Sequence, residues 1–159
     1  MIEVQGIREL NRKTAAMKAA MPNTVAYEFS REGQRTATEI KGIIETAPRV
    51  DLGHLLRGIH ERTTRLAGGV ETMVKPSDMS DRYAIFVEKD TRPHWPPIAA
   101  ITPWALRHNM EPYLVARSIA KKGTKGIHMF ERAFDSLSRR GDDLTNRIGA
   151  QMIKTFERG

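Results

Sequence analysis

Five histidines and one close pair of carboxylates are the side chains here with chemistry to offer. His54 and His60 stand six apart, and His94, His108 and His128 are isolated. A divalent metal held on a helix wants two imidazoles one turn apart with a carboxylate helper, as in H-E-x-x-H. No such spacing occurs, so no metal is expected. Glu88 and Asp90 alternate in a stretch that reads as a strand, which would set both carboxylates on one face. General acid–base chemistry uses such pairs, but many surface carboxylates share a face, and no nucleophile accompanies these two. There is no G-x-S-x-G, no phosphate-binding glycine loop and no dinucleotide fingerprint. Gly68-Gly69 and Gly123–Gly126 are too short and lack a strand–loop–helix setting. The chain has no cysteine, which excludes disulfides, thiolate zinc and cysteine nucleophiles and fits folding in a cytosol. A protein that is not an enzyme and needs no cofactor is expected.

What remains is a contact device. Tyr83 to Val87 is an apolar run of aromatic, β-branched and alanine residues, a strand composition. Thr91-Arg92-Pro93-His94-Trp95-Pro96-Pro97 follows. Its three prolines fix φ, remove backbone donors and push the preceding residues into extended conformations. A buried strand should therefore hand over to a stiff arm carrying Arg92, His94 and Trp95. Such an arm loses little entropy on docking. Trp95 folding back on its own core is the competing reading.

Net charge is +7 over 159 residues, with a sequence pI of about 10.0. That favours an anionic partner, either nucleic acid or an acidic protein surface. Arg92, Lys121, Lys122 and Lys125 are the candidate residues facing DNA or such a partner, with His94 as a further basic group and Trp95 as the one stacking aromatic. No apolar run approaches the roughly 20 residues of a bilayer span, so no membrane is expected. The first residues lack the basic-then-apolar order of a signal peptide.

The elements that must position this arm read as follows. Ile2 and Val4 alternate with Glu3 and Gln5, a short strand. Ile7, Leu10, Thr14, Met17 and Met21 form one stripe of a helix that Pro22 ends. Val25, Phe29, Gly33, Ala37, Ile40 and Ile44 mark a long helix from about Asn23 to Thr46. Pro48 stops it, and Asp51 can cap a turn holding Leu52, Leu55 and Leu56. Ile59–Thr64 and Val70–Val74 read as strands joined through Ala67-Gly68-Gly69. With Tyr83–Val87 they make an antiparallel meander. Ile98–Asn109 is a short helix. Pro112 opens another that ends at Lys121-Lys122-Gly123, with lysines at the negative end of the dipole and glycine as the stop. Phe130, Phe134, Leu137, Leu144, Ile148, Met152 and Phe156 repeat at helical spacing, with a break at Gly141. The class is α+β: a small antiparallel sheet of three to four strands packed by a long N-terminal helix, with further C-terminal helices. Residues 1–140, including the helical segment 98–122, make the domain, and 141–159 a helical extension.

Four motifs in this order resemble the neck or tail-completion proteins of tailed bacteriophages, minor connectors between head and tail. That family looks like I-x-G-h-x-x-L, a long helix, A-P-V-D-T-G-x-L-R-x-S-I, a strand with Y-A-x-F-V-E-x-G-T, a proline- and aromatic-rich stretch, and G-T-x-x-x-x-F-x-x-x-A. Here stand Val4-Gln5-Gly6-Ile7-Arg8-Glu9-Leu10; Ala47-Pro48-Arg49-Val50-Asp51-Leu52-Gly53-His54-Leu55-Leu56-Arg57-Gly58-Ile59; Tyr83-Ala84-Ile85-Phe86-Val87-Glu88-Lys89-Asp90-Thr91; and Gly123-Thr124-Lys125-Gly126-Ile127-His128-Met129-Phe130-Glu131-Arg132-Ala133. Arg49 is inserted, Leu52 replaces threonine and Asp90 replaces glycine. Trp95 to Lys122 is insertion-like, and 141–159 falls outside the match. The resemblance implies a noncatalytic virion protein at the head–tail junction, assembled in the host cytoplasm. It would form a six-fold homo-oligomeric ring that joins the head connector to the tail or closes the tail's upper end as a tail terminator, meets other connector and tail proteins and lets DNA pass. Thr91, Arg92, Pro93, His94, Trp95, Lys125 and His128 are then the candidate subunit or partner interface. A small basic nucleic-acid-binding module is the alternative.

Overall fold

The computed structural model describes residues 2–47, 53–77 and 84–158. Among the described residues the protein is mostly helical, with a two-stranded antiparallel sheet. Its elements in order are α1 (Ile2–Glu45), α2 (His54–Gly58), β1 (His60–Leu66), β2 (Gly69–Lys75), α3 (residues 84–88), α4 (Ile98–Arg107), α5 (Pro112–Lys122), α6 (Met129–Arg139) and α7 (Gly141–Arg158). No helix among the described residues is long and apolar enough to cross a membrane. The chain divides into two compact units: Met1–Glu39, His60–Lys75 and Ala133–Gly159 form one, Ile40–Ile59 and Pro76–Arg132 the other.

In the first unit α1 carries an ionic row. Glu28, Glu32 and Thr36 are buried, at the i, i+4, i+8 spacing that lines up one helix face. Arg140 and Arg147 meet them. Arg140 Nε donates to Glu32 Oε1 at 2.7 Å and its Nη1 to Glu39 Oε2 at 3.0 Å. Arg147 Nε donates to Glu28 Oε2 and its Nη2 to Glu32 Oε2, both at 3.0 Å. Burial pushes the Glu32 carboxyl up, but the hydrogen bonds and charges of the arginines outweigh it and hold the group below its ordinary value.

The hairpin β1–β2 pairs from His60 with Lys75 to Leu66 with Gly69. Thr63 and Thr72, cross-strand partners, share a hydroxyl hydrogen bond of 2.7 Å. The hairpin lies against α1 at Gly33, where a Cβ would stand 2.5 Å from Thr72 Cγ2 and 2.7 Å from Glu61 Cγ. Glycine is what lets the strands come that close.

In the second unit the core is small. Ile40, Ile44, Leu55, Ile59, Ala84, Ala105, Ala116 and Met129 are its buried apolar residues. Helices α4 and α5 pack on each other. Glu111 caps α5 by accepting from Leu114 N at 2.9 Å, with Pro112 in the first turn. Gly123 ends it at φ 70°.

Three expectations are corrected. Ile2–Val4 is the start of α1, not a strand. Pro22 lies inside α1 and does not divide it. The helix is held on both sides of the proline: Glu28 and Glu32 meet Arg147 downstream, and upstream Lys13 Nζ sits 6.0 Å from the centroid of the Phe156 ring. These contacts hold α1 to α7 on both sides of a proline whose interior position costs roughly 3 kcal/mol. Residues 84–88 of the expected third strand are helical, so the sheet among the described residues has two strands and not three to four. Tyr83, Asp51 and Leu52 lie outside the described residues. The α5 boundaries and the α6–α7 break at Gly141 fall where the sequence places them.

Candidate subunit-contact site

The arm begins at a clasp made of residues 87–91 and 123–128. Ile127 N donates to Val87 O at 2.9 Å and His128 N to Glu88 O at 3.1 Å. Gly126 N donates to Asp90 Oδ1 at 2.7 Å. Thr91 N donates to Thr124 O at 2.8 Å, Thr124 N to Thr91 Oγ1 at 2.9 Å, and the two hydroxyls lie 2.7 Å apart. Two glycines make this closeness possible. A Cβ on Gly123 would sit 1.9 Å from Thr91 O, and one on Gly126 2.3 Å from Glu88 O.

Glu88 fastens the clasp to α6. Its Oε2 accepts from Phe130 N at 3.0 Å and its Oε1 from Glu131 N at 3.1 Å. A carboxylate there satisfies two donors that have no partner inside the helix and sits at the positive end of the dipole. Asp90 accepts the Gly126 N–H, which holds its carboxyl below the ordinary value; burial opposes this slightly, and His128 and Lys125 add to it. His128 stands at φ 51°, with Nδ1 2.9 Å from Glu131 Oε2 and Nε2 3.6 Å from Asp90 Oδ1.

Beyond Thr91 the chain is exposed at Arg92, Pro93 and His94, whose Nδ1 lies 2.8 Å from Arg92 O. Pro96 is buried. Trp95 is 53 % exposed, and its ring lies 5.8 Å from the ring of Tyr113, tilted by 59°. Tyr113 itself is 49 % exposed. Pro96 pins the arm while Trp95 keeps a free face, a combination the sequence left open. Lys121 and Lys122 occupy the exposed last turn of α5, and Lys125 is exposed in the loop after it.

The structure thus brings Thr91, Lys125 and His128 to one clasp, with Arg92 at its edge, and it sets Trp95 on Tyr113. Glu88 and Asp90 do not act as a pair, because each carboxylate is taken up by separate backbone N–H groups. His54 opens α2, His60 opens β1, and His108 stacks on Trp104 at 4.5 Å. Among the described residues no group of three or more His, Asp or Glu side chains could hold a metal ion. Sequence reading missed Tyr113 and the capping role of Glu88, whose partners lie 42 and 43 positions away. The chain matches no protein-family model, no curated protein and no solved structure.

Proposed function

We propose that this chain is a structural virion protein of a tailed phage, a ring-forming connector at the head–tail junction that meets neighbouring connector and tail proteins and lets DNA pass. The order of its four motifs suggests the family. The observation that carries the reading is the pinned, half-exposed Trp95 on Tyr113. Each ring leaves about half of its surface exposed beyond its contact with the other, Trp95 on the proline-braced segment and Tyr113 in the first turn of α5. Exposed Ile98, Leu106 and Leu114 on α4 and α5 enlarge the apolar surface of the same unit. Aromatic anchors on a rigid base are what interfaces select. The occupant is a second copy, because a ring contact joins two unlike surfaces of one chain.

The test is analytical ultracentrifugation with electron microscopy of the purified protein. Rings are expected for the natural chain. Trp95→Ala should lower their proportion while the monomer melts within about 1 kcal/mol of the parent, as for a surface substitution. A monomer that unfolds on this substitution would make Trp95 core and remove the reading.

A further inference from the structure

The charge of the clasp region is not spread evenly over its neighbours. Between residues 84 and 132 the chain has eight lysines and arginines against four carboxylates: Glu88, Asp90, Glu111 and Glu131. All four carboxylates are internally engaged. Glu88 holds two N–H groups of α6, Asp90 holds Gly126 N, Glu111 holds Leu114 N, and Glu131 holds His128 Nδ1. The cations Lys89, Arg92, Lys121 and Lys122 are exposed, and no carboxylate is bonded to them among the described residues.

Backbone pairing gathers these four. Arg92 follows Thr91, which pairs with Thr124, and Lys121 and Lys122 close the helix that ends at Gly123. Lys89 lies where the chain passes Gly126. Gly123 lies against the backbone of Thr91 and Arg92, and Gly126 against that of Glu88 and Lys89, so the backbone positions that carry the four exposed cations are gathered along the clasp, an exposed edge of the unit.

We propose that this edge is a phosphate-backbone site that grips duplex DNA without reading its sequence. Lysine is depleted from protein–protein interfaces and works as a point charge on phosphate, so three lysines among four cations favour DNA over an acidic protein. None of the four is Trp95 or Tyr113. The site therefore goes beyond the ring reading and holds whether or not copies assemble.

Fluorescence anisotropy of a labelled 30-base-pair duplex with the full chain tests it. Four neutralised phosphates predict a log–log salt slope of about −3.6, a loss of affinity of roughly a hundredfold between 50 and 200 mM salt. Lys121→Gln/Lys122→Gln should reduce the slope by about 2 and weaken binding about tenfold at low salt, equally for unrelated sequences. Arg8→Gln/Arg12→Gln removes the same charge from α1 and should change neither quantity by more than twofold. Equal losses in the two double variants would reduce the effect to net charge and overturn the site. So would absence of duplex binding, or displacement by polyglutamate as efficient as by unlabelled duplex, which would identify an acidic protein surface as the partner.

Discussion

Arg140 Nε donates to Glu32 Oε1 at 2.7 Å, joining residues 108 positions apart. Glu32 also accepts from Arg147, and Arg140 also reaches Glu39. The first unit is therefore tied by a charged row where apolar packing is the usual choice. Glu32 is only 4 % exposed, so loss of either arginine leaves charge stranded in a poorly solvated place. Arg140→Ala should destabilise the protein by about 3 kcal/mol, measured by urea unfolding. Arg140→Lys keeps the charge but loses the two-pronged geometry and should recover only part of that.

The same row sets an acid limit. The Glu32 carboxyl is held below its ordinary value of 4.5 in the folded chain. The unfolded chain therefore takes up this proton first as pH falls. The contribution is fully present above about 4.5 and is lost as pH drops through the lower folded value. Melting temperature should fall below pH 4.5 in the parent, and the fall should be shallower in Glu32→Gln.

Gly126→Ala tests the clasp. Its Cβ would meet Glu88 O at 2.3 Å, a clash with backbone that cannot swing aside. A cost of about 2 kcal/mol is expected, with faster hydrogen exchange at the amides of Ile127 and His128. Gly149→Ala is the contrast: nothing lies within 4 Å of the added Cβ in α7. That change should stabilise by roughly 0.5–1 kcal/mol.

Glu88→Ala should cost about 1 kcal/mol through its two α6 bonds, seen in thermal melts. Glu88→Gln keeps an acceptor but gives up the charge at the helix start, and should fall between Glu88→Ala and the parent.

How much was legible in the sequence follows from how local each cause is. The hairpin could be read, because the β-branched and alternating residues of Ile59–Thr64 and Val70–Val74 and the Ala67-Gly68-Gly69 turn act over a few residues, although the strands run on to His60–Leu66 and Gly69–Lys75. So could α5, whose Pro112 and Gly123 are punctuation at its two ends. Residues 84–88 could not. Their β-branched and aromatic composition suits a strand, but here Lys89 N closes a helical turn on Ile85 O, and the Val87 and Glu88 carbonyls left over at its end accept from Ile127 and His128 some 40 positions on. Tertiary bonding overrides propensity there. Pro22 misled for the same reason, since the contacts that carry α1 past it come from α7. Of the site, the rigidity of Thr91–Pro97 was visible in its prolines. Its neighbour Tyr113 was not, because nothing in an 18-residue separation signals a ring-on-ring contact.

Thr91 and Thr124 stand 33 positions apart and join hydroxyl to hydroxyl. The excursion between them, with its tryptophan and two helices, therefore begins and ends at paired residues. The two hydroxyls hold the legs of that excursion together where it leaves and rejoins the clasp. A coupling element that must bear load without unravelling would be anchored in this way.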